Sequence, residues 1–361
     1  LIDMVVTPLL SYLREISARF PRVAIVGVGD QGNEVVHRIF ENGGSGAQCV
    51  AVNTNEDSLK RVYSHERILI EPQVTNESEL GRCGEAGAKV FRACGESIGP
   101  LLVGADVAFI VAESGETGTA ALASAIAEVA RRSDALAVGV AIMPPLCERE
   151  RRLVAGHELA RMRQNCHTLA IVDTGRPIVL PACLPSLGAD PSAGLVVDIV
   201  AGLSETLACP STVNIDFAAF KELVMHGGIA HIGIARSSSA LRVEEATVGA
   251  LRVPLLYDNI AQGQGALVNV RADPSLTVEE TETAAELIAE RAGRDMPVVV
   301  GASADDSWYD GCQVSIWLTG GSYPYMPGGY RRLPLDMYEM EPDGEEGPID
   351  LDLDLDQLEE T

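Results

Sequence analysis

The chain has 361 residues, 52 acidic against 27 basic, for a formal net charge of -25. That length favours two domains over one, and 47% hydrophobic residues suffice for sizeable cores, which excludes global disorder. Aromatics at 4% and a strongly negative field argue against stacking platforms for single strands and against general nucleic-acid binding. Lysine occurs only as Lys60, Lys89 and Lys221, the other basic residues being arginine. An acid-rich, lysine-poor surface reads as adapted to the concentrated salt of a haloarchaeal cytosol, where the screening length falls to about 3 Å near 1 M, or as that of an ordinary acidic protein with part of its charge in the tail.

The eight cysteines form no C-x-x-C pair and most have apolar flanks, as expected of buried, reduced thiols in a cytoplasmic protein. The six histidines show no metal-ligand spacing, so no metal site is expected from them. No apolar run reaches 18 residues, which argues against a membrane span. Residues 1–21 read as an amphipathic N-terminal helical extension that packs on the domain, not as a signal peptide.

From residue 22 the pattern alternates. Short β-branched strands are predicted at 23–28, 49–54, 105–112, 136–143 and 168–173, with helices at 32–42, 117–132 and near 148–165. This is an α/β pattern: a Rossmann-like parallel sheet covered by helices, with ligands expected at the carboxyl ends of the strands. Residues 193–208 are apolar around most of the circumference and predict a central buried helix between two domains. A second α+β set follows, with helices at 217–225, 241–252 and 278–291 and strands at 229–235, 265–271, 297–302 and 312–319. The last two strands lie close enough in sequence to suggest a mixed sheet. The predicted division is 1–21 extension, 22–192 nucleotide-binding domain, 193–210 central helix, 211–320 C-terminal domain and 321–361 disordered acidic tail.

Three loops could carry chemistry. Gly27-Val-Gly29-Asp-Gln-Gly32-Asn33 satisfies G-x-G-x-x-G between a strand and a helix. It reads as a phosphate loop on a helix N-terminus or as a structural turn. A dinucleotide site would want an acid at the end of the second strand, where Asn53-Thr-Asn55 stands instead. A dinucleotide-dependent oxidoreductase is therefore a remote alternative. Glu113-Ser-Gly115-Glu-Thr117-Gly118-Thr119-Ala120 is a second small-residue loop, fit for a triphosphate beside the first or for a Ser/Thr-capped helix start, and no Walker lysine is present. Gly95-Glu-Ser97-Ile-Gly99 matches G-x-S-x-G, but helix rather than strand precedes it, which argues against a nucleophile elbow.

Over residues 22–320 these segments resemble the FtsZ/tubulin superfamily, in a divergent archaeal, FtsZ/CetZ-like form. GVGDQGNEVV resembles its first phosphate loop and NTNEDSL its NTDxxxL loop. GADVAFIVAESGETGTAALA resembles GADMVF…GGGTGTG, PPLCERERR resembles PFxFEGxxR, and VNIDFAAFKELVMHGG resembles NxDFADVxxVMxxGG. ALVNVRADPSLTVEETETAAELI is similar to the family's VLVNITGGxDLSLxEVxEAAxxI.

The resemblance implies a tubulin/FtsZ-like fold that binds GTP or GDP, with Mg²⁺ or K⁺ between carboxylates and polyphosphate. It implies nucleotide-dependent filaments in cell division or cell-shape control. It assigns Gly29, Gln31, Gly32, Asn33, Gly115, Thr117, Gly118 and Thr119 to phosphates, Asn53 to the neighbouring loop, and Glu148 and Arg152 to ribose and phosphate. Asn214 and Asp216 are assigned a catalytic role on the next subunit's nucleotide.

The sequence also departs from the family. Ser114, Glu116 and Ala120 replace signature glycines, and Asp30 and Glu116 put carboxylates beside the phosphates. Thr174, Ala189, Asp190 and Gly194 stand where the base would be held, which weakens guanine preference. Ala219 replaces the second synergy-loop acid, so hydrolysis is expected to be weak or lost. The alternative is a non-hydrolysing scaffold that co-assembles with an authentic FtsZ. The alternating segment 349–358 reads as a partner-docking strand or as a solvating acidic tail.

Overall fold

The computed structural model describes residues 20–71, 85–173, 191–252, 263–293, 296–305, 308 and 311–323. The N-terminal helix and the tail expected from the sequence lie outside these residues, apart from 20–21 and 321–323.

The strands are β1 (Val23–Val28), β2 (Gln48–Asn53), β3 (Glu66–Leu69), β4 (Val107–Glu113), β5 (Leu136–Ile142), β6 (Thr168–Val172), β7 (Gly228–Ser237), β8 (Gly265–Ala272), β9 (Val298–Ala304) and β10 (Cys312–Gly321). The helices are α1 (Gly29–Glu41), α2 (Glu56–Lys60), α3 (Glu85–Ser97), α4 (Gly99–Leu102), α5 (Thr117–Arg132), α6 (Arg149–Asn165), α7 (Pro191–Ala208), α8 (Phe217–Met225), α9 (Arg242–Arg252) and α10 (Val278–Ala292).

All ten strands join one sheet in the order β3-β2-β1-β4-β5-β6-β7-β10-β8-β9. The first six follow the doubly wound order 3-2-1-4-5-6, whose chain reverses direction across the sheet between β1 and β4. β10 is antiparallel to β7 and to β8, and the remaining pairs are parallel, so the sheet is mixed. The sequence reading missed β3, a short edge strand with charged, exposed Glu66 and Arg67. Edge strands are kept short and charged, which removes the apolar alternation that reveals a strand.

The parallel strands are buried on both faces, and alternate residues point to opposite layers. Ile25, Phe109 and Val138 pack with α1, α7 and α8. Ala24, Val26, Ala108 and Ile110 pack with α3, α5 and α6. A third cluster joins α9 and α10 to β8 and β10. The sheet is unbroken where a domain boundary was expected, because β6 pairs with β7 from Thr168–Gly228 to Ile171–His231.

α7 crosses this junction in the core that also contains Phe109 and Trp317. Its polar residues are matched internally: Asp198 accepts from Arg236 at 2.9 Å and Ser204 donates to Ser45 O at 3.1 Å. Among the described residues no helix is long and apolar enough to cross a membrane.

Two glycines set how closely α1 approaches the sheet. A Cβ on Gly27 would lie 2.3 Å from Gly32 O, and one on Gly32 would lie 2.2 Å from Val111 O. Both contacts are with backbone, which cannot swing aside. Gly32→Ala is expected to destabilise the fold by about 1–3 kcal/mol through overpacking, read as a lowered denaturant midpoint with an unchanged slope.

Candidate functional site

β1 and β4 are hydrogen-bonded neighbours. Their connections leave in opposite directions across the sheet, which opens a crevice at their carboxyl ends. Loop one follows β1 and loop two follows β4. The two touch: Gly29 has φ +74°, and a Cβ there would lie 2.7 Å from the Thr119 side chain in the first turn of α5. Glycine fits both the left-handed backbone and the contact.

α1 and α5 both start at this crevice. Neither N-cap residue, Val28 or Glu116, caps a first-turn backbone N–H with its side chain, and Glu116 Oε2 instead accepts from the Thr119 hydroxyl at 3.4 Å. Two helix N-termini without an N-cap side-chain bond, each with a positive dipole end, suit an anion. Thr117 opens α5, followed by the half-buried Gly118 and Thr119. Gln31, in the same first turn of α1, leaves its buried Oε1 without a hydrogen-bond partner, an acceptor that suits a donor or a cation rather than a phosphate oxygen. Gly29 and Gln31 thus stand in the first turn of α1 and Thr117, Gly118 and Thr119 in that of α5, with Gly29 against Thr119, while Gly32 is buried against Val111 O.

Other expected contacts are engaged elsewhere. The buried Asn33 amide donates to Val52 O and accepts from Val52 N, both at 3.1 Å, and so ties α1 to β2. Asn53 donates to Asp30 at 2.8 Å and accepts from Thr54 N and Asn55 N, closing its own loop. The Gly115 N–H donates to Glu158 Oε2 at 2.6 Å.

The reading of Arg152 as a phosphate contact is corrected. Arg152 is buried, forms two bonds to Asp173 at 2.9 and 2.5 Å, and donates to Pro144 O. Tyr323 donates to the same carboxylate at 2.9 Å. Glu148 pairs with Arg151 at 2.5 Å.

The cation that faces loop two is the neighbour, Arg151, which sits 2.8 Å from Glu113 and 3.7 Å from Glu116. Successive helix residues point about 100° apart, so one position decides between core and crevice. Helical spacing carried the signal: Arg152 shares a face with the buried Ala155, Leu159 and Met162.

Carboxylates therefore crowd loop two. Burial raises the Glu113 pKa against the opposing charge of Arg151. Burial also raises Glu158, to about 7, although the Gly115 amide and Arg161 lower it. Glu158 was not anticipated, because nothing in its sequence surroundings marks it as a loop contact. Among the described residues, no group of three or more histidine, cysteine or acidic side chains is placed to hold a metal ion.

Asn214 and Asp216 stand at the far end of the sheet. The Asn214 amide donates to Cys209 O at 2.7 Å, and Cys209 lies against Gly46, in the turn that precedes β2. The 13-residue α1 separates this turn from loop one, roughly 20 Å at 1.5 Å per residue. Asp216 is exposed and caps α8 through Ala218 N.

Ser97 ends α3 with helix before it, so the G-x-S-x-G match is no nucleophile elbow. Thr174, Ala189 and Asp190 lie outside the described residues, whereas Gly194 is buried in α7.

Comparison with known proteins agrees with this architecture. The family model described as the tubulin/FtsZ family GTPase domain matches residues 22–175, and that of the FtsZ family C-terminal domain matches 228–322. The chain is 33% identical over 313 residues to Cell division protein FtsZ 2 of Methanocaldococcus jannaschii, covering 85% of this chain and 82% of that protein. It is 32% identical over 309 residues to Cell division protein FtsZ of Haloferax mediterranei, covering 85% and 82%. An empty FtsZ dimer from M. jannaschii superposes with TM-score 0.73 at 27% identity, covering 87% of this chain and 91% of that one. A GTPγS-bound protofilament of CetZ2 from Haloferax volcanii shares the fold at TM-score 0.64 and 20% identity, covering 82% and 92%.

The geometry predicts that Arg152→Met strands the Asp173 carboxylate, which is 0% exposed. A loss of about 3–5 kcal/mol is expected from breaking one side of a buried pair, read by denaturant unfolding. A residue that only contacted ligand would leave the stability of the free protein unchanged.

Proposed function

This chain belongs to the FtsZ/tubulin family, and on that premise we propose that it binds guanine nucleotide at the β1–β4 crevice and assembles head to tail into filaments. The observation that carries this reading is the separation between the two halves of the site. The phosphate loops lie at one end of the sheet, while Asn214 and Asp216 lie beyond the other end of α1. No residue of that second pair reaches the crevice of its own chain, so a second copy supplies it.

Loop one, Gln31 and the start of α5 fit the phosphates through backbone N–H groups and close glycine contacts. Bound GTP would supply the scissile phosphoanhydride. If Mg²⁺ or K⁺ accompanied it, Asp30, which accepts from Asn53, and Glu116 would be the carboxylates to hold the cation and offset the phosphate charge. Asp216, two residues from Asn214, would orient water on the neighbour's nucleotide. Ala219 offers no second acid, which slows hydrolysis by about 10²–10⁴.

The role is cytoskeletal, in division or cell shape, in the cytoplasm, with the protein itself as principal partner and the acidic tail available to a second one. A second reading, a non-hydrolysing scaffold that co-assembles with an authentic FtsZ, is favoured by two features: Ala219, and the Gly115 amide already held by Glu158.

The test is phosphate release from GTP against protein concentration, at high KCl to screen the acidic protomers. A rate per molecule that rises with concentration is expected. Asp216→Ala should remove it with nucleotide binding retained, and Ala219→Asp should raise it by at least tenfold. A rate independent of concentration would exclude a site shared between copies.

A further inference from the structure

Glu158 is not accounted for by the nucleotide reading. It lies on α6, seven residues after Arg151 and on the same face, with its side chain buried at 4% exposure. Oε2 accepts the Gly115 N–H at 2.6 Å, while Oε1 is buried without a hydrogen-bond partner. Gly115 is held in the left-handed region at φ +95°, and a Cβ there would lie 2.8 Å from Pro144 and 2.9 Å from Arg151 O. The left-handed backbone and these contacts leave room for glycine alone, and in the nucleotide-free chain its amide is turned to Glu158. A carboxylate on a loop amide beside a helix N-terminus is itself an anion in an anion site.

We propose that Glu158 is a positioning residue that competes with the nucleotide: its carboxylate holds the Gly115 amide, and a terminal phosphate gains that amide only when Glu158 releases it. The proposal rests on the nucleotide reading above. Release is favoured by protonation, because neutral Glu158 holds the amide weakly and does not repel phosphate. The charged groups around it are Arg161 and Arg151 of α6, which favour the carboxylate, and Glu116 of loop two, which disfavours it. The α5 turns from Gly118 to Ser124 and the β5 strand carry no charged residue. Burial is the largest influence and sets the pKa at about 7.

The sign follows. A bound phosphate raises the pKa of Glu158 further, so binding takes up a proton. Affinity is greatest below about pH 7 and falls as pH rises, by up to about tenfold per pH unit until the bound-state pKa is passed.

The test uses the full chain. GTP affinity is measured from about pH 6 to 8.5 at constant ionic strength, for the wild type and Glu158→Gln. The difference between the two profiles removes the titration of GTP itself. The Gly115 amide is followed in the nucleotide-free protein by ¹³C-serine/¹⁵N-glycine labelling, which reports only the Ser45–Gly46 and Ser114–Gly115 pairs.

We expect wild-type affinity to drop at least about tenfold across the range relative to the variant, with the variant binding more tightly at alkaline pH. We also expect the Gly115 signal to titrate near pH 7 in the wild type. Parallel affinity profiles, or a Gly115 signal insensitive to pH while GTP still binds, would overturn the competition and leave the nucleotide site standing. No binding by either protein at any pH would overturn the nucleotide site and the competition with it. The amide titration needs only the wild-type protein, so the inference stays testable if the variant does not fold.

Discussion

Much of this structure depends on a backbone-to-backbone contact. Gly32 lies against Val111 O with no room for a side chain, and Gly27 lies against Gly32 in the same way. This lets α1 settle directly on β1 and β4 at the point where the chain changes direction across the sheet. Its N-terminus then sits beside that of α5, and Gly29 meets Thr119. Any Cβ at these positions would lift the helix, widen the crevice and separate the two N-termini. The glycines of the first motif thus do two jobs: Gly27 and Gly32 set the packing, and Gly29 sets the approach of one loop to the other.

On this shared scaffold the chain has an unusual distribution of charge. Loop two is bordered by Glu113, Glu116, Glu148 and Glu158, and Arg151 balances only part of that charge. The other arginine of the pair is turned inward and locks α6 to the end of β6 through Asp173, with Tyr323 on the same carboxylate. One helix therefore serves the core with one face and the crevice with another. The strength of the buried pair comes from its enclosure, because an isolated carboxylate there would have no water to solvate it.

The far end of the sheet is organised differently. Asn214 holds the turn after α7 through Cys209 O and Thr206 O, and Asp216 caps α8 while remaining exposed. These residues also have plain structural duties. They are exposed and stand away from the loops of their own chain, as the proposed site shared between copies requires. The continuous sheet and the core around α7 connect the two ends through paired strands and packed helices.

The sequence by itself determined the elements and the family. Strands buried on both faces read as apolar runs, helix 117–132 was legible to the residue, and the ordered motifs from GVGDQGNEVV to VNIDFAAF identified the superfamily. The sequence did not reveal the exposed β3, whose charges hide its pattern, nor the unbroken pairing of β6 with β7. It also could not say which of two adjacent arginines enters the core, or that Glu158 occupies the Gly115 amide. Motifs record residue type and order along the chain, and those decide local conformation. Hydrogen-bond partners 21 and 43 residues apart, as in Arg152–Asp173 and Gly115–Glu158, are set by the angle at which one helix meets the end of a sheet. That angle exists only once the tertiary packing has formed.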